Sequence, residues 1–112
     1  MDIVVDDIPG GVKIVRLNGR LDIAGAAAID MRMSLLAGSS RAVAVDLTNV
    51  SFLASMGIRT LLVTAKSISS KGGKMVCFGA NHDVASVIET SGISMVLPLK
   101  ADLDAAVAAV TS

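Results

Sequence analysis

The run Ala42-Val43-Ala44-Val45-Asp46-Leu47 is apolar at every position but Asp46. A run so short and so nearly continuous fits a central strand covered on both faces. A helical pattern follows from about Met56 to Ser70, Lys71-Gly72-Gly73 closes it, and Lys74 to Phe78 reads as the next strand. Strand, helix and strand in that order make a parallel pair joined by a right-handed crossover. This unit commits the chain to an α/β layer architecture.

The flanking sequence extends the same architecture. Val12 to Leu17 sets Val12 and Ile14 against Lys13 and Arg16, which predicts a strand with one solvated face. Ile3 to Val5, ahead of Pro9-Gly10-Gly11, is its expected antiparallel neighbour. Residues 24–37 place Ala26, Ile29, Met33 and Leu36 on one helical stripe, with Asp30 and Arg32 facing away and Gly38 as the stop. Thr48 to Ala54 reads as a loop. Asn81 or His82 opens a short helix with Val84, Val87 and Ile88 inward and Gly92 at its end. Met95 to Leu97 is the expected last strand, and Asp102 to Val110 a terminal helix with Leu103, Ala106, Val107 and Val110 on one side. The expectation is a mixed five-stranded sheet with about four helices, an α/β fold, in a single domain over 1–112.

Composition removes several functions. At 53% hydrophobic and 18% charged, the chain can bury a core. Ten basic and ten acidic residues cancel without a block of either sign, so the basic footprint of a nucleic-acid binder is missing. Phe52 and Phe78 are the only aromatics, too few for a base-stacking platform. Cys77, the one cysteine, lies in the apolar run Met75-Val76-Cys77-Phe78 and reads as a small buried side chain. One Cys, one His and scattered acids give no metal site, and no glycine-rich phosphate loop is present. Neither a metal nor a cofactor is expected. The opening MDIVVDDI lacks the features of a signal peptide, and no apolar run approaches the ~20 residues of a membrane span. A soluble cytoplasmic protein, without membrane insertion, is expected.

Ligands and partners of open α/β sheets gather beyond the carboxyl ends of the strands. The connection after Leu47 ends in Phe52-Leu53-Ala54-Ser55-Met56-Gly57-Ile58. On the helix that follows, Ile58, Leu61, Leu62, Ala65 and Ile68 cluster on the core side. Met56, Arg59, Thr60, Val63, Ser67 and Ser70 fall opposite. Met56 and Val63 among polar residues suit either a protein-contact surface or an ordinary surface with two stray apolar side chains. Ser55 precedes the first turn, where its hydroxyl is expected to cap the N–H of Gly57 or Ile58. A phosphate there is equally compatible, since helix N-termini favour anions. It would set roughly −1.5 to −2 charges beside Met56 and Val63.

The stretch from Val45 to Leu62, VDLTNVSFLASMGIRTLL, resembles the signature of STAS-domain anti-sigma-factor antagonists. Gly19-Arg20-Leu21-Asp22, Lys71-Gly72-Gly73-Lys74 and Thr90-Ser91-Gly92-Ile93 resemble three further family fragments in the right order, so the likeness covers nearly the whole chain. The resemblance implies the STAS fold and partner switching. In that scheme the unphosphorylated antagonist binds a serine-kinase anti-sigma factor, the kinase inactivates it by phosphorylation, and a serine phosphatase restores it. It implies that Ser55 is the phosphorylated residue. With Asp22, Met56, Gly57, Arg59 and Val63, Ser55 would form the partner-binding site. Asp22 equally fits a helix cap. Two positions depart from the family pattern: Ala54 replaces its acid, and Met56 its hydroxyl residue.

Two other readings compete. A STAS module that is never phosphorylated would serve as a docking or structural subunit of a larger signalling or lipid-transport assembly, and Ala54 and Met56 favour it. An enzyme would need Ser55 as nucleophile, but Leu53 stands where the Gly-x-Ser-x-Gly elbow needs glycine. His82, the only candidate base, reads as a surface residue of a first helical turn, so catalysis is not expected.

Overall fold

Repeated right-handed crossovers that step across a sheet in one direction must leave all their helices on one face. The computed structural model, which describes residues 1–112, is built this way. Its elements run β1 (Asp2–Ile8), β2 (Val12–Leu21), α1 (Ile23–Ser39), β3 (Ala42–Leu53), α2 (Ser55–Ser70), β4 (Lys74–Phe78), α3 (His82–Thr90), β5 (Leu99–Lys100) and α4 (Leu103–Thr111). The sheet order is β1-β2-β3-β4-β5. β1 is antiparallel to β2, and every later pairing is parallel. The hairpin turns at Gly10 and Gly11, whose φ values of 96° and 77° suit residues without Cβ.

Two cores follow from this layering. Val15, Leu17, Val43, Val45, Leu47 and Cys77 pack under α1, α2 and α3 with Ile29, Met33, Leu61, Ile68 and Ile88. Val12, Ile14, Ala44, Val76 and Phe78 pack on the other face under Ala106 and Val110 of α4. Burial of each Leu or Ile side chain contributes about 1.5–3 kcal/mol, so the three-helix face carries most of the stabilisation. The mixed five-stranded sheet with four helices is the expected α/β architecture.

Four local expectations are corrected. The expected solvated face of β2 is absent over Val12–Leu17, because α4 covers the side of Val12 and Ile14 while Val15 and Leu17 lie under the other helices; within that stretch only Arg16 is exposed, bridging Asp6 at 3.1 Å and Asp46 at 3.0 Å. Gly38 does not end α1. It takes no left-handed φ, and the helix runs on to Ser39 before leaving through extended Ser40. Met95 to Leu97 is a turn rather than a strand, with the Val96 and Leu97 N–H groups both donating to the Ile93 carbonyl (3.0 and 2.8 Å). The last strand is Leu99–Lys100, beginning after Pro98, whose carbonyl accepts from Cys77 N–H at 3.0 Å. Finally, Thr48 to Leu53 continues β3 instead of forming a loop, with Val50 and Leu53 buried.

Candidate functional site at the paired starts of two helices

β2 and β3 outrun the rest of the sheet. β4 accompanies β3 only to the Asp46–Phe78 pair, whereas β2 stays with β3 through two register shifts to Leu21 and Leu53. This two-stranded extension delivers α1 and α2 side by side. The Ala54 N–H donates to the Leu21 carbonyl at 3.0 Å, joining the two strand ends just before the helices begin. The approach is close enough to demand glycine. A Cβ on Gly57 would lie 2.5 Å from the Leu21 carbonyl oxygen, and one on Gly25 would collide with that of Arg20. Gly57 is buried and turned inward, so it supports the site from beneath and offers no surface to a partner.

Capping separates α2 from the other helices. Asp22 accepts from Gly25 N–H at 2.9 Å, Asn81 from Val84 N–H at 2.8 Å, and Asp102 from Ala105 N–H at 2.9 Å. α2 has Ala54 at the equivalent position, in a similar extended conformation but with no acceptor, and no acid in its first turn. Ser55 was expected to be this cap. It is instead the first residue of the helix: Ile58 N–H bonds the Ala54 carbonyl at 3.0 Å, which puts the capping position one residue earlier. Ser55 is exposed, and its hydroxyl caps nothing. The first-turn N–H groups of α2 therefore lack a side-chain partner.

Asp22 stands at the neighbouring helix start. The Gly25 N–H chiefly, with help from Arg20, holds its carboxyl below the usual carboxylate range. Arg20 Nε lies 3.5 Å from Asp22 Oδ2, and its guanidinium sits 4.3 Å from the centroid of the Phe52 ring. Neither Arg20 nor Phe52 was expected at the site. Their cross-strand pairing was hidden because Thr48 to Ala54 read as loop.

Between α1 and α2 runs an open groove of about 680 Å³. Ile23, Ala27 and Asp30 line one wall, and Met56, Arg59 and Val63 the other, with Ala26 and Thr60 also contributing. Thr60 was expected to face solvent. It is buried together with Thr64, because α2 packs on α1 as well as on the sheet. Their hydroxyls donate back to the carbonyls of Met56 (3.1 Å) and Thr60 (2.8 Å), which satisfies them within the packed interface. Ser55, Met56, Arg59 and Val63 share the exposed side, and Asp22 is their neighbour at the start of α1.

No group of three or more His, Cys, Asp or Glu side chains comes together to hold a metal, and no helix is long and apolar enough to cross a membrane.

The family model described as STAS domain matches residues 4–106. An anti-sigma F factor antagonist of Paenibacillus polymyxa is 31% identical over 91 residues, covering 80% of this chain and 78% of that protein. The crystal structure of an anti-sigma factor antagonist from Mycobacterium paratuberculosis superposes with a TM-score of 0.87 at 28% identity, covering 99% of this chain and 94% of that one. The structure of the Bacillus cell fate determinant SpoIIAA in its phosphorylated form shares the fold, with a TM-score of 0.70 at 16% identity over 90% of this chain and 93% of that one.

Proposed function

The chain belongs to the STAS domain family, and from that premise we propose that it is an anti-sigma-factor antagonist controlled by phosphorylation of Ser55. Unphosphorylated, it binds a serine-kinase anti-sigma factor in the cytoplasm through Met56, Arg59 and Val63, with Asp22 at the edge of the contact. The likeness to an antagonist at 31% identity supports the antagonist role. The switch rests chiefly on one observation: the only uncapped helix of the four is the one that starts at an exposed serine.

The chemistry follows from that geometry. Ser55 Oγ attacks the γ-phosphorus of ATP on the kinase, ADP leaves, and the hydroxyl proton passes to a base of the kinase. The new phosphate meets the first-turn N–H groups of α2, which no side chain caps, and the positive end of the helix dipole. Its charge of roughly −1.5 to −2 then stands beside the docking surface. Juxtaposing it with acidic partner groups costs several kcal/mol, comparable to the about 5.5 kcal/mol that turns a mostly bound state into a mostly free one. A serine phosphatase restores the hydroxyl by hydrolysis.

Intact-mass analysis after incubation with ATP and the purified cognate kinase tests this reading. One added phosphate on the native chain and none on Ser55→Ala is the expected result. Ser55→Asp should bind the kinase more weakly while keeping the fold; undiminished binding refutes repulsion by charge. Ala54, in place of an acid, is the specific observation favouring a second reading, a docking module that is never phosphorylated. A stable kinase complex with no phosphate transferred would establish it.

A further inference from the structure

α1 is apolar on two sides. Ala26, Ile29, Met33, Leu36 and Ala37 are buried against the molecule, which accounts for one face. Yet Ile23, Met31 and Leu35 on the other side are 71%, 76% and 66% exposed, and Ala27 between them is exposed too. Spaced four residues apart, these side chains form a stripe along the helix. Exposed apolar side chains gathered in one patch mark a contact surface. Val63 and Met56, 57% and 42% exposed, carry the apolar surface across the groove onto α2. The outer side of this helix layer thus holds five of the nine large apolar residues the molecule exposes.

Resting on the functional reading above, we infer that the partner's contact extends from the Ser55 end over the length of α1, and that its far half is insensitive to the phosphate. The occupant is a protein surface that lays an amphipathic helix in the groove and apolar side chains across Met31 and Leu35. Charge specifies it further. Asp30 on one wall and Arg59 on the other form no ion pair within the chain. The seated helix therefore carries a basic residue toward α1 and an acidic one toward α2. The groove is continuous with the switch because Ile23 and Met56 adjoin Asp22 and Ser55. At ~1.5 Å per residue, Met31 and Leu35 lie about 12 and 18 Å along α1 from Ile23. That exceeds the screening length of about 8–10 Å at physiological salt. Phosphorylation removes the near half of the contact and leaves the far half usable, which keeps the partner within reach of the phosphoprotein.

Calorimetric titration of the purified cognate serine-kinase anti-sigma factor tests the inference, using Met31→Lys and Leu35→Lys in both Ser55 and Ser55→Asp backgrounds. Both side chains are mostly exposed, so circular dichroism and the urea midpoint should be unchanged. The expected result is at least tenfold weaker binding from each α1 variant, by the same factor in either background. Asp30→Lys should weaken binding as well. Unchanged kinase affinity in the α1 variants, with Ser55→Asp still weakened, overturns the inference and spares the functional reading. A loss confined to the Ser55 background overturns the phosphate-insensitive half. A wild-type dimer in sedimentation that Met31→Lys dissolves, at undiminished kinase affinity, also overturns it by making a second copy the occupant. If the α1 variants weaken binding and Ser55→Asp does not, the surface stands and the phosphate switch falls.

Discussion

Replacing Ala54 by Asp should stabilise the protein, against the usual direction of substitutions at half-buried positions. The backbone at Ala54, with φ −105° and ψ 173°, is close to that of Asp22, with φ −96° and ψ −164°, whose carboxylate caps α1. An aspartate at position 54 would reach the N–H of Gly57 as Asp22 reaches that of Gly25. Exchanging Ala for a capping acid contributes about 1 kcal/mol, within a range of about 0.5–2. For a domain of this size that is roughly a 4 °C rise in melting temperature. The sign of the pH dependence is fixed. A capping carboxylate has its folded pKa depressed, so the gain is present above the ordinary carboxylate pKa of about 3.9 and fades as pH falls through the folded value. Ala54→Asn supplies the acceptor without the charge and should keep most of the gain with no such fade. Calorimetric melting of the three proteins between pH 3 and 7 decides the matter. No gain from either variant would mean that the α2 first turn already has partners, and the anion site argued at Ser55 would lose its basis.

Other consequences are simpler to test. Gly57→Ala should destabilise by about 1–3 kcal/mol or more, because its Cβ meets the Leu21 carbonyl at 2.5 Å and the Leu21 side chain at 2.6 Å; urea unfolding would show a lower midpoint at unchanged slope. Cys77 is fully buried and its thiol is pushed up to about 12 by burial, so thiol reagents at pH 8 should label it only at the rate of unfolding. Asp22 has a folded pKa lowered chiefly by the Gly25 N–H, so its stabilisation holds above the ordinary carboxylate pKa and is lost as pH falls through the lowered one. Asp22→Asn should therefore be less sensitive to acid than the native chain in melts from pH 5 to 2.

Hydrophobic periodicity revealed most of the fold because each βα unit carries its own signal. Ala42 to Leu47 reads as covered on both faces and is, and Lys74 to Phe78 reads as a strand and pairs with it. The failures lie where polar residues sit in regular structure or apolar ones outside it. Thr48, Asn49 and Ser51 look like loop, yet they belong to β3 because β2 supplies a pairing partner. Met95 to Leu97 looks like strand, yet only Leu97 is buried. At the site, Ser55, Met56, Arg59 and Val63 were legible because α2 has distinct faces. The cap position was misplaced by one residue, a shift no propensity resolves when the true cap is an alanine. On α1 the inward stripe was read correctly, but a helix apolar on both sides gives no contrast by which to notice Met31 and Leu35.

The proposed switch has a consequence that separates it from simple destabilisation. A phosphate on Ser55 would sit within the first turn of an uncapped helix, where a negative charge contributes about 0.3–1 kcal/mol through the dipole and up to about 2 in partly buried geometry. The same charge costs several kcal/mol across an interface with acidic partner groups. Melting temperature and partner affinity should therefore move in opposite directions on phosphorylation: the first up by a few degrees, the second down by orders of magnitude. Ala54→Asp sharpens the test, because its carboxylate would occupy the same N–H groups and repel the phosphate. In that variant the thermal gain on phosphorylation should shrink or reverse, while the loss of affinity persists. Melting and binding measured on the same phosphorylated samples would show it. If stability and affinity fall together in the native chain, the phosphate is acting by distorting α2, and the account of an anion held at the helix start is wrong.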